Sequence, residues 1–301
     1  MASCWRALAR RGVEFSLLAF DSDAGGEIAF RDELVKDLPC RLLSQAEQQD
    51  ASLIRSLVQQ MKADIVVVPG WFHPPYRKLA TDPALSGARF VMTMDTPRRD
   101  TLRQRIGRFY MCRFLSRMDR LVVAGERAFQ LARMLNVPER KIRRGVYGFD
   151  EPLFAGVYDR RASRAWPKRF LFVGRYVDDK ALDVLVAGYR KYRAGVSDPW
   201  PFTCCGRGPM GHVLQADGIE DRGFLQPSEL PALLAEHGVF VMSSRYEPWG
   251  VAIAEALGAG TPVICTEACG ASVELVRPYF NGLTVATDDP DALASALRWT
   301  H

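Results

Sequence analysis

The sequence predicts an α/β protein built from two doubly wound domains. Short runs rich in β-branched and aromatic residues alternate with helical segments along the 301 residues, and most of these runs are apolar throughout. Continuously apolar strands, each followed by a helix, are typical of parallel sheets covered on both faces. A chain of this length is sufficient for two domains of roughly 150 residues each.

The first half contains five strand candidates with helical segments between them. They span residues 13–20, 64–70, 89–94, 120–125 and 141–147. Helices are predicted over 46–62, with Ser44 as the N-cap, and over 97–118. The half opens with a helix that ends at Gly12, where a doubly wound domain normally opens with a strand. We therefore expect the usual N-terminal strand to be missing.

The second half repeats the pattern with six strand candidates. They span residues 169–174, 201–206, 219–224, 238–243, 261–266 and 282–286. Between the two halves, residues 153–168 show neither helical nor strand period and carry charges and prolines, which indicates a linker. The predicted domains are therefore 1–152 and 169–301.

Composition excludes several classes of protein. No apolar run reaches the ~18 residues that a membrane-spanning helix needs. The seven cysteines are scattered without the paired spacing of a zinc site, and we interpret them as reduced thiols of a cytoplasmic protein. The net charge of +5 is unevenly distributed along the chain.

Much of the positive charge lies in one predicted helix. Eight arginines occur between Arg98 and Arg120, interleaved with bulky apolar residues. Three interpretations are open: a solvated helix, a face for an anionic acceptor or for the headgroups of an anionic membrane, and a nucleic-acid patch. No nucleic-acid motif accompanies the arginines, so we expect no nucleic-acid partner.

Two glutamates stand out in the apolar segment 245–260. Glu255 lies on a helix that is apolar on all sides, where a carboxylate is costly unless it is paired. It either forms an internal salt bridge with an arginine or faces a cleft and accepts hydrogen bonds from ligand hydroxyls. Glu247 precedes the helix, whose first N–H groups suit phosphate oxygens. This combination suits a sugar nucleotide.

The segment from Glu247 to Glu255, with the apolar residues that follow it, resembles the E-x7-E segment of glycosyltransferase family 4. Members of that family are retaining enzymes of the GT-B fold, in which two Rossmann-like domains face a cleft. The resemblance covers most of residues 169–298 and includes further segments. These are Gly174-Arg175 with Lys180, the glycine-proline turn 205–209, and residues 223–234, 270–274 and 281–283.

The resemblance implies a role for each matching residue. Arg175 and Lys180 would hold the diphosphate and stabilise the charge that develops on it as the glycosidic bond breaks. Glu247 would contact the donor hexose, and we expect these three residues to be catalytic. Glu255 would bind the ribose. The other expected donor-binding residues are Gly174, Trp249, Gly250 and Val251.

The first half resembles the family more loosely, through its strand–helix rhythm and residues 147–150. It would supply the site for a saccharide or lipid-linked acceptor. Some family members carry a histidine after a first-domain strand, where this sequence has Asp95, and His73 follows another strand end. Both are acceptor-side candidates. The family's C-terminal helix, which crosses back to the first domain, has no counterpart in this sequence and is also expected to be missing.

The expected function is transfer of a hexose, with retention, from a nucleotide diphosphate sugar to an unknown hydroxyl. No cofactor and no metal are expected, since Arg175, Lys180 and the helix start would replace a metal. One alternative is a metal-dependent enzyme in which Asp21 and Asp23 hold manganese. A second alternative is a non-catalytic or truncated sugar-nucleotide-binding protein.

Overall fold

A computed structural model describes residues 2–21, 35–145, 147–162 and 165–301. The chain divides into two compact units, unit 1 of residues 1–147 and unit 2 of residues 148–301. This division falls before the predicted end of the first domain at residue 152. No helix within the described ranges is both long and apolar enough to span a bilayer.

Unit 1 alternates strands and helices as predicted. Its strands are β1 (Leu17–Phe20), β2 (Cys40–Leu43), β3 (Ile65–Val68), β4 (Arg89–Met94), β5 (Arg120–Val123) and β6 (Ile142–Arg144). Its helices are α1 (Ala2–Arg10), α2 (Gln45–Gln49), α3 (Ala51–Gln60), α4 (Pro74–Ala80), α5 (Leu102–Tyr110), α6 (Cys112–Arg117) and α7 (Gly125–Met134), with short 3₁₀ turns at Pro83–Leu85 and Glu139–Lys141.

Strands β3 to β6 form a parallel sheet in sequential order, and β1 and β2 form a separate parallel pair. The side chains of Phe90, Met92 and Met94 on β4 are buried in the core of the unit. On β3, Ile65 and Val67 are exposed. The expectation that both sheet faces are covered is therefore wrong for β3 among the described residues, because an apolar strand does not itself reveal what packs on each face.

Two predicted helices are each divided in two. The first breaks at Asp50, whose extended backbone ends α2 and whose carboxylate caps α3 by accepting from Ser52 and Leu53 N–H. The predicted N-cap Ser44 is confirmed, and it forms a capping box with Glu47. The second breaks at Met111, between α5 and α6. Strand β2, which pairs with β1, was not predicted.

Unit 2 contains all six strands predicted for the second half. They are β7 (Phe170–Val173), β8 (Phe202–Cys205), β9 (Ile219–Asp221), β10 (Val239–Met242), β11 (Val263–Thr266) and β12 (Gly282–Val285). The helices are α8 (Glu151–Ala162), α9 (Leu182–Ala194), α10 (Leu230–Ala235), α11 (Val251–Gly258), α12 (Ser272–Leu275) and α13 (Pro290–Thr300), with 3₁₀ turns at Asp178–Lys180, Pro209–Leu214 and Pro227–Glu229.

The six strands form one parallel sheet in the order β12-β11-β10-β7-β8-β9. Along β7, Phe170 and Phe172 pack into the core on one face, and Leu171 packs into the core on the other. The continuous apolar run of β7 thus has the predicted cause, since both faces of the sheet are covered.

The linker predicted over 153–168 is wrong for most of its length, because α8 occupies Glu151–Ala162. Phe154, Val157 and Arg161 are buried at the i, i+3, i+7 spacing of a helix face. The Arg161 guanidinium donates to Thr261 Oγ1 at 2.8 Å and to two backbone carbonyls. The helical period was not recognised in the sequence because one of its buried positions is an arginine, and an arginine in a charged stretch is ordinarily assigned to solvent.

Candidate active site

The predicted donor-side residues lie at the carboxyl edge of the unit 2 sheet. From β7 the strand order runs to β8 and β9 on one side and to β10, β11 and β12 on the other. The order therefore reverses between β7 and β10, and ligands of open α/β sheets bind at such reversals, outside the carboxyl ends of the strands. Gly174 and Arg175 directly follow β7, and Glu247 lies five residues after β10.

Lys180 and Glu247 form an ion pair that joins the loops after β7 and β10. Both side chains are only 12% exposed. Below the pair, Ser243 Oγ donates to the carbonyl oxygens of Lys180 and Ala181 at 2.9 and 3.2 Å. Ala181 itself adopts left-handed backbone geometry, with φ of 51°, where α9 begins. The position of the Lys180 ammonium is therefore held from both ends of the side chain.

Arg175 contrasts with its neighbour Arg245. The Arg245 guanidinium binds the carboxylates of Asp178, Asp183 and Asp288, and the hydrogen bond with Asp183 raises the pKa of Arg245. Arg175 is exposed, and no described residue pairs or hydrogen-bonds with its guanidinium. The guanidinium of Arg245 is therefore already bound by carboxylates of the protein, whereas that of Arg175 can bind an anion.

A glycine turn supports the loop that carries Arg175. Tyr176 N–H donates to the Arg207 carbonyl at 2.8 Å. A Cβ on Gly206 would lie 1.8 Å from the Gly174 carbonyl oxygen, and one on Gly208, whose φ is 149°, would lie 2.4 Å from that of Tyr176. Only glycine allows the two loops to approach this closely.

A second turn fixes the segment that contains Glu247. The N–H of Gly270 donates to the Glu247 carbonyl at 3.0 Å, and that of Ala271 donates to the Trp249 carbonyl at 2.8 Å. A Cβ on Gly270 would lie 2.0 Å from the Pro248 carbonyl oxygen. The Trp249 side chain is half-buried, and no described group accepts from its ring N–H.

The start of α11 lacks a side-chain cap. Gly250 occupies the N-cap with a φ of 97°, and a Cβ there would lie 3.2 Å from Glu247 Cγ. The first N–H groups of α11, from Val251 onward, therefore receive no hydrogen bond from a capping side chain. Helix starts of this kind bind phosphate and carboxylate groups.

Glu255 lies one turn after Val251, on the same face of α11. Its side chain is partly buried, no described residue pairs with the carboxylate, and burial raises its pKa to about 7. The internal salt bridge considered as an alternative is absent among the described residues. The expectation that α11 is buried all round is also wrong, since within it only Ile253 and Ala256 are fully buried.

The two acceptor-side candidates lie in unit 1, each after the carboxyl end of a strand. His73 Nε2 is 2.5 Å from the Gln48 carbonyl oxygen, and its ring packs edge-on against Phe20 and Tyr76. One ring nitrogen of His73 is therefore engaged by the backbone of unit 1. Asp95 accepts from the Tyr147 hydroxyl at 2.8 Å.

Among the described residues, no group of three or more His, Cys, Asp or Glu side chains is placed to hold a metal ion. The manganese alternative used Asp21 and Asp23, and Asp23 lies outside the described residues. The structure also contains a feature that the sequence analysis missed, which is the Arg245 network. In the sequence, Arg245 is visible only as an arginine two residues before Glu247. Nothing in the sequence shows that Arg245 is bound by aspartates whereas Arg175 is not.

Both halves of the chain match glycosyltransferase families. Residues 167–300 match the family model described as "Glycosyl transferases group 1". Residues 1–145 match the model described as "Glycosyl transferase 4-like domain".

The fold is also similar to that of solved glycosyltransferases. Sucrose-phosphate synthase from Thermosynechococcus elongatus matches with a TM-score of 0.72 at 17% identity, covering 98% of this chain and 81% of that one. A glycosyltransferase from Rickettsia africae matches with 0.71 at 17% identity, over 99% and 82% of the two chains. The fold is GT-B. Another GT-B match is HepE from Anabaena in complex with UDP and glucose, with 0.69 at 15% identity over 95% and 89%.

Curated relatives match over part of their length. D-rhamnosyltransferase WbpZ from Pseudomonas aeruginosa is 28% identical over 218 residues, which is 66% of this chain and 55% of WbpZ. D-inositol 3-phosphate glycosyltransferase from Salinispora tropica is 35% identical over 143 residues, 42% of this chain and 29% of the relative. The chain thus spans less than two thirds of the length of these relatives.

Proposed function

We propose that the chain is a retaining hexosyltransferase of glycosyltransferase family 4. It moves a hexose from a nucleotide diphosphate sugar to a hydroxyl of an acceptor, without a metal ion. The observation that carries this proposal is the contrast at the carboxyl edge of unit 2. Arg175 is exposed and unpartnered among the described residues, and it lies on the same loop as Lys180, whose ammonium is held by its ion pair with Glu247.

The two cations act on the leaving group. Lys180 has three N–H donors and uses one for Glu247, so it can also donate to a phosphate oxygen. Arg175 offers a planar set of donors that matches phosphate geometry. Together with the uncapped start of α11, they stabilise the charge that grows on the diphosphate as the glycosidic bond breaks. This arrangement makes a metal ion unnecessary.

The two glutamates recognise hydroxyls of the donor. Glu247 bonds to Lys180 through one carboxylate oxygen and can accept from a hexose hydroxyl with the other. Glu255, one turn into α11, accepts from the ribose hydroxyls when it is ionised. Because Glu255 has no protein partner among the described residues, such a ligand would also satisfy its partly buried carboxylate.

Similarity to characterised proteins supports a sugar-nucleotide donor. HepE was crystallised with UDP and glucose, and WbpZ carries the name of a D-rhamnosyltransferase. From these similarities we propose that the donor is a nucleoside diphosphate sugar and that the acceptor is a saccharide or a lipid-linked molecule. We place the reaction in the cytoplasm, in peripheral contact with an anionic membrane. No disulfide links the seven cysteines, which suits a reducing compartment.

A two-stage experiment tests the proposal. A panel of nucleoside diphosphate sugars is first screened by thermal shift, since a ligand at ~100 times its dissociation constant stabilises by about 2.7 kcal/mol. The selected donor is then incubated with sugar and lipid-linked acceptors, with and without a chelator, and the anomeric configuration of the product is read by NMR.

Each outcome has a definite meaning. Transfer that survives chelation and retains the anomeric configuration is expected. Loss of transfer with the chelator would favour the metal-dependent alternative, and an inverted product would remove the assignment to a retaining family. Binding without transfer to any acceptor would favour the non-catalytic binder.

A further inference from the structure

Helix α5 exposes its large apolar residues. None of its nine residues is buried. Leu102, Ile106, Phe109 and Tyr110 are 72%, 55%, 66% and 83% exposed. A surface helix of a globular protein ordinarily turns its apolar stripe toward the core, so the arrangement in α5 is the reverse of the usual one.

The four exposed residues form one continuous stripe. With 3.6 residues per turn, Leu102, Ile106, Phe109 and Tyr110 fall within an arc of about 100°. We call these four residues the α5 stripe. Three or four apolar residues in such an arc are a contiguous patch rather than isolated exposed side chains, and contiguous patches mark interaction surfaces.

The opposite side of α5 attaches the helix to the unit. Gln104 donates to the Pro97 carbonyl at 2.8 Å and accepts from Arg99 N–H at 2.8 Å. Gly107 lies against Leu135, whose Cδ2 would be 3.8 Å from an added Cβ. Because these two residues lie about 100° or more from the middle of the stripe, the α5 stripe points away from the unit.

Arginines lie on both sides of the stripe. Arg103 and Arg105 flank it, and Arg113 follows on α6. All three are exposed, and no described residue pairs with them. Arg108 lies over the ring of Phe109, with 4.4 Å between its Cζ and the ring centroid. The α5 stripe therefore has a border of cations that are not engaged in ion pairs.

Other arginines of the cluster belong to the fold. Arg98 pairs with Asp100 at 2.8 Å. Arg117 donates to the Ala88 carbonyl at 2.7 Å and lies over the ring of Phe90. The eight arginines therefore do not form a single surface. Arg103, Arg105 and Arg113, which have no ion pair with a described residue, are the ones near the α5 stripe.

We propose that α5 docks unit 1 on an anionic phospholipid bilayer, with the α5 stripe inserted at the level of the headgroups. An apolar stripe bordered by basic residues is the arrangement of helices that lie in the membrane interface. The arginines reach the lipid phosphates while their aliphatic stems stay with the apolar residues. The inference rests on the proposed function in one respect, which is that a docked unit 1 would lie beside a lipid-linked acceptor.

Other occupants fit the surface less well. A second copy of the chain would bring the same cations together across the contact, which like-charge repulsion opposes. A nucleic acid would pair with the arginines and leave the apolar stripe in water. A bilayer satisfies both components at once.

Vesicle co-sedimentation of the full chain tests the proposal without any donor. Vesicles of phosphatidylcholine alone are compared with vesicles containing about one third phosphatidylglycerol, at about 50 and 500 mM salt. The stripe variant is Ile106→Ser/Phe109→Ser, and the charge variant is Arg103→Ser/Arg105→Ser. The matched controls are Val273→Ser/Phe280→Ser for exposed apolar residues and Arg10→Ser/Arg11→Ser for exposed arginines.

We expect binding to the anionic vesicles that weakens at high salt. The stripe variant and the charge variant should each bind at least ~10-fold more weakly, while both controls bind like the wild type. Equal recovery with neutral and anionic vesicles would overturn the proposal, as would equal losses in variants and controls. Self-association that the stripe variant abolishes, without vesicle binding, would replace the bilayer by a second copy. Donor binding is measured separately by thermal shift, so failure of the proposed function is distinguishable.

Discussion

The carboxyl edge of the unit 2 sheet and helix α5 of unit 1 both gather positive charge, but they hold it differently. At the sheet edge, Lys180 is 12% exposed, pairs with Glu247, and is fixed by the backbone that Ser243 holds. On α5, Arg103 and Arg105 extend into solvent beside exposed apolar residues. The held Lys180 ammonium suits one particular atom of a ligand, whereas the exposed arginines around the apolar residues of α5 suit an extended anionic surface.

The helices of the two regions also differ in their apolar residues. Helix α11 is apolar except for Glu255, which pairs with no described residue, and α5 is basic with an unburied apolar stripe. Each departs from the ordinary amphipathic helix, in opposite directions. Such departures are where function is expected, because packing alone does not explain them.

The largest expected effect is on turnover, without a change in stability. Arg175→Ala should lower turnover roughly 10²–10³-fold, because it removes one donor to the leaving group. The melting temperature should stay unchanged, since Arg175 is exposed and unpartnered among the described residues. Arg190→Ala, at an exposed position on α9, is the matched control. Steady-state kinetics with a proven donor measure the effect, and full turnover in Arg175→Ala would rule out the leaving-group role.

Lys180→Ala should lower turnover by a similar factor and also destabilise the protein by roughly 1–3 kcal/mol, because Glu247 loses its partner in a poorly hydrated site. The ion pair is the reason why this variant, unlike Arg175→Ala, should lose stability. Urea unfolding measures the loss. The double variant Lys180→Ala/Glu247→Gln should recover part of it, and no recovery would mean that the pair is not the cause.

Glu255 should make stability depend on pH. Burial raises its pKa from 4.5 to about 7, so the folded protein holds a proton that the unfolded chain releases between these values. Stability is therefore lost as pH rises from about 4.5 to about 7. Glu255→Gln should be more stable than the wild type above pH 7, by roughly 1–3 kcal/mol, and the gain should vanish below about pH 4.5. Urea unfolding across this range checks the sign, and a constant difference would contradict it.

Donor binding should show the opposite pH trend. If the ionised Glu255 accepts from the ribose, the wild-type affinity falls as pH drops through about 7. The Glu255→Gln variant should bind more weakly at pH 8 and show no such titration. Isothermal titration calorimetry with the selected nucleoside diphosphate sugar measures both, and the same titration in wild type and variant would assign it to another group.

The smallest expected effect concerns the stability of α5. Ile106→Ser/Phe109→Ser should change the free energy of unfolding by no more than ~0.5 kcal/mol, since both side chains are exposed. Phe114→Ala on α6, a buried position, should destabilise by about 3–5 kcal/mol. Urea unfolding compares them. A large loss in the stripe variant would mean that the α5 stripe is covered within the protein.

Part of this structure could be predicted because it depends on local patterns. The apolar runs of β7 and β10 predicted buried parallel strands, and Ser44 predicted the start of α2. Helix α8 was missed because its buried face includes Arg161, whose partners lie 73 to 100 residues away in the chain. Strand β2 was missed because four residues that pair only with β1 have no strong period of their own.

The sequence by itself predicted most of the parallel strands of both halves, because apolar runs and helix starts are properties of neighbouring residues. Its resemblance to glycosyltransferase family 4 made Arg175, Lys180, Glu247 and Glu255 the candidate residues of a donor site. The tertiary structure decided which charges are engaged. It pairs Lys180 with a glutamate 67 residues away, binds Arg245 to three aspartates and leaves Arg175 and Glu255 without a described partner. It also turns the α5 stripe outward, because burial and pairing depend on segments that only folding brings together.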